Sequence, residues 1–164
     1  IPNILYNVPS RTGCNITMPV YRELAKHPNI VATKEASGNI SAIAQLIAEC
    51  GDDFDVYSGN DDQIVPILSL GGKGVISVLS NIAPKEVKQL CTLIQEGNFA
   101  DAMVLNDKLL PLANACFVEV NPIPVKEAMN MMGLNMGPLR MPLVPMTDTA
   151  RENLRQELKK HGLL

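Results

Sequence analysis

One recurring pattern limits what the first half of this chain can fold into. Short apolar runs rich in β-branched residues lie at Ile1–Tyr6, Ile30–Lys34, Phe54–Ser58 and Gly74–Val78, and each leads into a turn and an amphipathic stretch. Their starts are spaced by roughly 20–30 residues, about the length of one βα unit. Strands separated by helices form a parallel sheet joined by right-handed crossovers. The predicted fold class is therefore α/β.

The stretches between the runs carry helix signals. Met18–Lys26 bears Val20, Leu24 and Ala25 and stops at Pro28. Ile40–Cys50 sets Ile40, Ile43, Ala44 and Ile47 on one face, and Gly51 suits a C′ glycine. Asp61 and Asp62 precede Ile64, Val65, Ile67 and Leu68, the arrangement of first-turn carboxylates on a helix dipole. After Val78 the strand signal stops. Pro84 suits a first helical turn, with Val87, Leu90, Cys91 and Ile94 on one stripe and Gly97 as the stop. A further helix is predicted over Ala100–Cys116, bent near Pro111. Pro122 and Pro124 predict an extended link, and Lys126–Met132 a short helix ended by Gly133. A loop follows over 135–147, then a capping box at Thr149 and Glu152 opening a last helix that Gly162 ends. The expected chain is four βα units followed by a helical C-terminal extension.

Composition excludes several function classes. With 164 residues there is enough chain for one domain with a sizeable core, and 46% hydrophobic against 19% charged residues is not a disordered composition. A net charge of −3 gives no basic block for nucleic acid or an anionic membrane surface. No apolar run approaches the ~20 residues of a membrane span, and no secretory signal pattern opens the chain. Cys14, Cys50, Cys91 and Cys116 are far apart, with no CxxC pair, which suits reduced thiols in a cytoplasmic protein. The two histidines, His27 and His161, fall at polar helix ends and read as solvated, so neither a Ser-His-Asp triad nor a His-rich metal site is expected. The eight methionines, four of them in 129–136, read as core and helix packing filler. The chain opens Ile-Pro-Asn and enters an apolar segment at once, which is expected of a fragment.

Lys34 is the most informative residue. Strict alternation puts Ile30, Ala32 and Lys34 on one face and Val31, Thr33 and Glu35 on the other. Burying a lysine there favours the neutral amine that a Schiff base needs. A strand-end lysine that snorkels to water is the alternative. Tyr6 ends the first strand, so in a parallel sheet it reaches the same rim. There its phenol can shuttle protons, or its ring can simply pack. The loop Asn7–Gly13 carries Arg11, whose guanidinium suits bidentate capture of a carboxylate if it is not merely solvated. Gly71, Gly72 and Gly74 precede a strand instead of opening a helix, so a phosphate loop is not expected. Asp61 and Asp62 fit helix N-terminal carboxylates better than metal ligands, and no metal is expected.

Tyr-Asn-Val-Pro-Ser-Arg-Thr-Gly (Tyr6–Gly13) and Lys-Glu-Ala-Ser-Gly-Asn (Lys34–Asn39) closely resemble the dihydrodipicolinate synthase family. The likeness continues through Tyr57–Asp61, Gly72–Val78 and Phe117–Lys126 and covers essentially the whole chain. It implies a (β/α)8 TIM barrel with class I aldolase-like chemistry. This chain would supply strands five to eight: 1–82 as the second half of the barrel, 83–164 as the last barrel helix and the C-terminal helical extension. A barrel of this kind needs ~200 residues or more. The implied reaction condenses pyruvate with L-aspartate 4-semialdehyde to 4-hydroxy-tetrahydrodipicolinate in lysine and diaminopimelate biosynthesis. By the same resemblance, Lys34 forms the imine with pyruvate, with no separate cofactor. Tyr6 relays protons, and Arg11 engages the semialdehyde carboxylate. The backbones at Gly59 and Ile76 line the pyruvate pocket. Asn60 stands where the family often has Asp.

The family's Thr-Thr pair and the tyrosine donated across its dimer interface are absent, and its lysine-feedback site lies mostly in the half not present here. The implied partners are therefore the N-terminal half of the barrel and further copies of the complete protein as a homo-oligomer. Two other readings compete. An N-acetylneuraminate lyase or 2-keto-3-deoxy sugar acid aldolase would share the lysine and tyrosine but lack the arginine, so Arg11 favours the synthase. A non-catalytic half-barrel module would keep the strands without the site.

Overall fold

The computed structural model describes residues 1–51 and 53–164. It divides into two compact units, one of residues 1–77 with 91–102 and the other of 78–90 with 103–164.

The first unit holds a four-stranded parallel sheet in the order β1 (Asn3–Asn7), β2 (Ile30–Glu35), β3 (Asp55–Ser58) and β4 (Gly74–Val75). Sequential parallel neighbours are what repeated right-handed βα units produce. The first crossover carries a single-turn helix, α1 (Pro9–Thr12), and then α2 (Met18–Leu24); the second carries α3 (Ile40–Cys50). The third carries a 3₁₀ turn at Asp61–Gln63 running into α4 (Ile64–Ser69). The core lies between the helices and one face of the sheet. It is built on Tyr21, Ile43, Leu46, Phe54, Val56 and Ile67, with the Tyr21 and Phe54 rings edge to face at 6.2 Å. The opposite face of the sheet is open, and Ile4, Tyr6 and Ile76 are exposed on it.

Several local expectations are corrected. The first strand is displaced to Asn3–Asn7, and Asn7–Gly13 is mostly the helical turn α1, closed by Gly13 at φ +66°. The run Gly74–Val78 pairs as a strand only over Gly74 and Val75, although the Ile76 amide still donates to the Ser58 carbonyl at 2.9 Å. Helix α2 ends at Leu24, two residues before the predicted end at Lys26. Gly51 is right-handed, φ −71°, and not a left-handed C′ residue. Glycine is needed there for space, since a Cβ would stand 2.4 Å from the Ile47 carbonyl oxygen. Strict alternation also fails in β2. A bulge places Asn3 opposite Ile30 but Ile4 opposite Ala32, so Val31 is the extra residue. Ile30 therefore packs into the core on the helix side, and Lys34 shares its face with Ala32 but not with Ile30.

The second unit is helical. It contains most of α5 (Pro84–Gln95) and α6 (Phe99–Ala115), then α7 (Ile123–Met131) and α8 (Asp148–Lys160). Leu109, Leu112, Ile123, Ala128, Leu154 and Leu158 are buried. Pro122 and Pro124 do not make an extended link. Pro122 is the N-cap of α7 and Pro124 lies in its first turn, where the missing amide costs no helical bond. The cap of α8 is Thr147, not Thr149; its side chain accepts from the Ala150 amide. The methionines of 129–136 are not core, for none is buried. His161 is not merely solvated. Its ring nitrogens lie 2.8 Å from the carbonyl oxygens of Glu157 and Lys108, joining α8 to α6. Among the described residues no helix is long and apolar enough to cross a membrane.

Candidate active site

The C-terminal ends of β1, β2 and β3 bring the sequence-predicted residues together. Parallel register sets Tyr6 opposite Lys34, and Lys34 opposite Tyr57. All three project from the open face of the sheet, because the residues alternating with them, Leu5, Thr33 and Val56, turn to the helices. The Lys34 Nζ lies 4.3 Å from the centroid of the Tyr6 ring. Lys34 is half-buried, while Tyr6 is 47% exposed. Tyr57 lies beside Gly74 and directs its hydroxyl toward Asp55 Oδ2 at 3.5 Å; burial, then the nearby carboxylate, raises the pKa of its phenol. Amine and phenol thus share one face at one rim, the place where parallel α/β sheets present chemistry.

Gly59 follows β3 directly. Its amide donates to the Glu35 carbonyl at 2.6 Å, which draws the end of β3 against the residue after Lys34. Ile76, 40% exposed, continues the line of β4. Arg11 lies in the last turn of α1, exposed, on the loop that leaves β1 just after Tyr6. Lys34 and Tyr6 are therefore brought into contact, Gly59 and Ile76 lie just beyond the ends of β3 and β4, and Arg11 is in the segment that leaves β1.

Behind Lys34, on the helix side, lies a polar cluster that alternation assigned to the far face and left without a role. Glu35 is 3% exposed. Its Oε1 accepts from Asn7 Nδ2 at 2.7 Å and from the Tyr21 hydroxyl at 2.5 Å, and its Oε2 from the Ser37 hydroxyl at 2.7 Å. Asn39 Oδ1 caps α3 through the Ala42 amide. The run Lys34–Asn39 is thus an amine on the open face followed by an acceptor, a donor and a helix cap. The signal available in sequence was an acidic residue on the core side of a strand, which a buried position tolerates only with partners.

Over residues 1–161 the chain matches the family described as "Dihydrodipicolinate synthetase family". The chain belongs to the dihydrodipicolinate synthetase family. A 4-hydroxy-tetrahydrodipicolinate synthase from Caldicellulosiruptor bescii is 55% identical over 163 residues, covering 99% of this chain and 55% of that protein. The crystal structure of dihydrodipicolinate synthase from Thermotoga maritima superposes with a TM-score of 0.97 at 43% identity, over 100% of this chain and 57% of that one. The chloride-inhibited enzyme from Acinetobacter baumannii, complexed with pyruvate, gives a TM-score of 0.96 at 41% identity, over 100% and 56%. The chain thus spans about half the length of the family members it matches.

Proposed function

We propose that this chain carries the imine-forming half of a 4-hydroxy-tetrahydrodipicolinate synthase, a lyase that condenses pyruvate with L-aspartate 4-semialdehyde. The observation that carries the reading is the Lys34 amine set on the Tyr6 ring at the rim of a parallel sheet. Family membership and the pyruvate complex of the A. baumannii relative support it. In this reading β1–β4 are four of eight barrel strands, residues 1–82 form the half-barrel and 83–164 the last barrel helix with a helical extension. The remaining strands come from the N-terminal half of the barrel, and the complete protein works as a cytoplasmic homo-oligomer.

The chemistry follows from an amine beside a phenol. The Lys34 amine attacks the ketone carbon of pyruvate, and water leaves to give an iminium. The iminium draws electrons from the adjacent methyl group, which loses a proton to form the enamine. The enamine carbon bonds to the aldehyde carbon of the second substrate. That substrate's own amine then displaces Lys34 from the former ketone carbon and closes the ring. Tyr6 moves the protons these steps release and consume. The lysine itself supplies the electron sink, so the scheme needs no separate cofactor. Arg11 pairs with the carboxylate of the semialdehyde, and the backbones at Gly59 and Ile76 line the pyruvate pocket.

Borohydride reduction in the presence of pyruvate tests the reading in the whole protein that carries these residues. The adduct is expected on the peptide containing Lys34. An adduct on Lys26 or Lys73, or none, overturns it. Lys34→Arg should abolish trapping, because a guanidinium stays protonated and forms no imine.

A further inference from the structure

We infer that Glu35 is a positioning residue: from behind the sheet, its buried carboxylate sets Lys34, Tyr6 and the Arg11 segment in register with one another. This rests on the imine chemistry proposed above. Glu35 and Asn7 occupy the same rung of β1 and β2, one residue beyond the Tyr6–Lys34 rung. Tyr6 and Lys34 project to the open face, and Asn7 and Glu35 meet on the helix side at 2.7 Å. The backbone ladder ends here, with the Ala36 amide on the Asn7 carbonyl at 2.9 Å. The last rung of a parallel pair has nothing beyond it to hold its register, and the Asn7–Glu35 contact supplies that hold.

The same two residues reach the other pieces of the site. Asn7 gives its second amide hydrogen to Asn15 Oδ1 at 2.9 Å and accepts the Ile16 amide at 3.1 Å, which returns the segment after Arg11 to the end of β1. The Glu35 carbonyl holds the Gly59 amide. Tyr21 anchors the carboxylate to α2, and Ser37 anchors it to the approach to α3. Each hydrogen bond to the carboxylate comes from an uncharged group. A buried carboxylate held, among the described residues, by uncharged donors is costly to keep for stability alone, since an apolar residue of similar volume packs without that cost. It does supply four directed acceptor positions at one point, which an apolar side chain cannot. Displacing a reacting group by about 1 Å is enough to lose ~100-fold in rate.

The test compares Glu35→Leu, Glu35→Gln and Tyr21→Phe in the whole protein that carries this chain. Gln keeps an oxygen for Asn7 and Tyr21 and can donate to Ser37; Leu keeps the volume and loses every acceptor. For Glu35→Leu, kcat per borohydride-trappable site should fall at least tenfold, with KM for pyruvate changed less than threefold. Glu35→Gln should return kcat to within threefold of the parent. Tyr21→Phe, which removes one atom, should lower kcat threefold or more and keeps the test decisive if the Leu variant does not fold. A crystal structure of the Leu or Phe variant should show Lys34 Nζ displaced from the Tyr6 ring by 1 Å or more. Parental kcat in folded Glu35→Leu or in Tyr21→Phe, or an undisplaced Lys34, overturns the inference. If the parent traps no pyruvate, the proposed function fails, and the variant crystal structures still decide whether Glu35 sets Lys34.

Discussion

A methyl group added at Gly59 would stand 2.7 Å from the Ala36 Cβ and 2.9 Å from the Glu35 carbonyl oxygen. Both obstacles are held by the chain immediately after Lys34, so neither can retreat without moving the end of β2. Gly59→Ala should therefore cost about 1–3 kcal/mol, as overpacking does, read as a lower denaturant midpoint at unchanged slope. Tyr21 makes a prediction of the opposite kind. Burial, then its bond to Glu35, raises the pKa of its phenol well above the usual value of 10.0. The unfolded chain releases this proton near pH 10 while the folded chain keeps it. Above that pH the folded state binds more protons, so stability falls as pH rises, by about 1.4 kcal/mol per unit from this one group. Tyr21→Phe should remove that part of the alkaline slope, seen as a shallower loss of stability between about pH 10 and 11 than in the parent. An equal slope in both proteins would show that Tyr21 ionises in the folded state as it does in the unfolded chain.

At the scale of elements, what sequence could reveal depended on whether the controlling force is local. Periodicity and capping are local, so the span of α3 and the glycine stop of α8 were legible, and the alternation of strands with helices implied a parallel sheet. Lys34 and Tyr6 were legible as partners because parallel strands align their C-terminal ends. The bulge at Val31 was not, because it is set by the pairing of β1 with β2 and leaves the apolar pattern of β2 unchanged. The helical turn α1 was missed for a related reason. It spans four residues and has no side-chain N-cap, so its propensity is weak. The chain that follows it is tied back to the end of β1 by the Asn7 bonds to Asn15 and Ile16. That tie bears on Arg11, whose place is fixed by the element carrying it. A charge-assisted contact to a substrate carboxylate is worth roughly 1.5–3 kcal/mol. Arg11→Ala in the whole protein should therefore raise KM for the semialdehyde about tenfold or more, with a smaller change for pyruvate. Equal changes for both substrates in steady-state kinetics would assign Arg11 a structural role.

For the molecule as a whole, the deciding feature is a sheet with one covered face and one open one. β1 and β4 each have a single strand neighbour among the described residues, and Ile4, Tyr6 and Ile76 are exposed on the face that bears Lys34. A barrel interior is packed by layers of side chains from alternate strands, and four strands cannot close such layers over the lysine. Unpaired parallel edges beside exposed apolar side chains are also templates for pairing with another chain. These 164 residues alone are thus expected to associate with themselves and to trap pyruvate slowly, with no measurable condensation. Supplying the N-terminal half of the barrel as a second chain should raise the trapping rate by tenfold or more and restore turnover. Sedimentation velocity reports the first expectation, and the borohydride adduct on Lys34, followed with and without the added half, reports the second. A monodisperse 164-residue sample that turns over steadily would mean that the open face is closed by this chain's own residues, and the half-barrel reading would fall. Self-association that disappears when the second half is added, together with the gain in trapping, would locate the missing cover on the face that Tyr6 and Lys34 share.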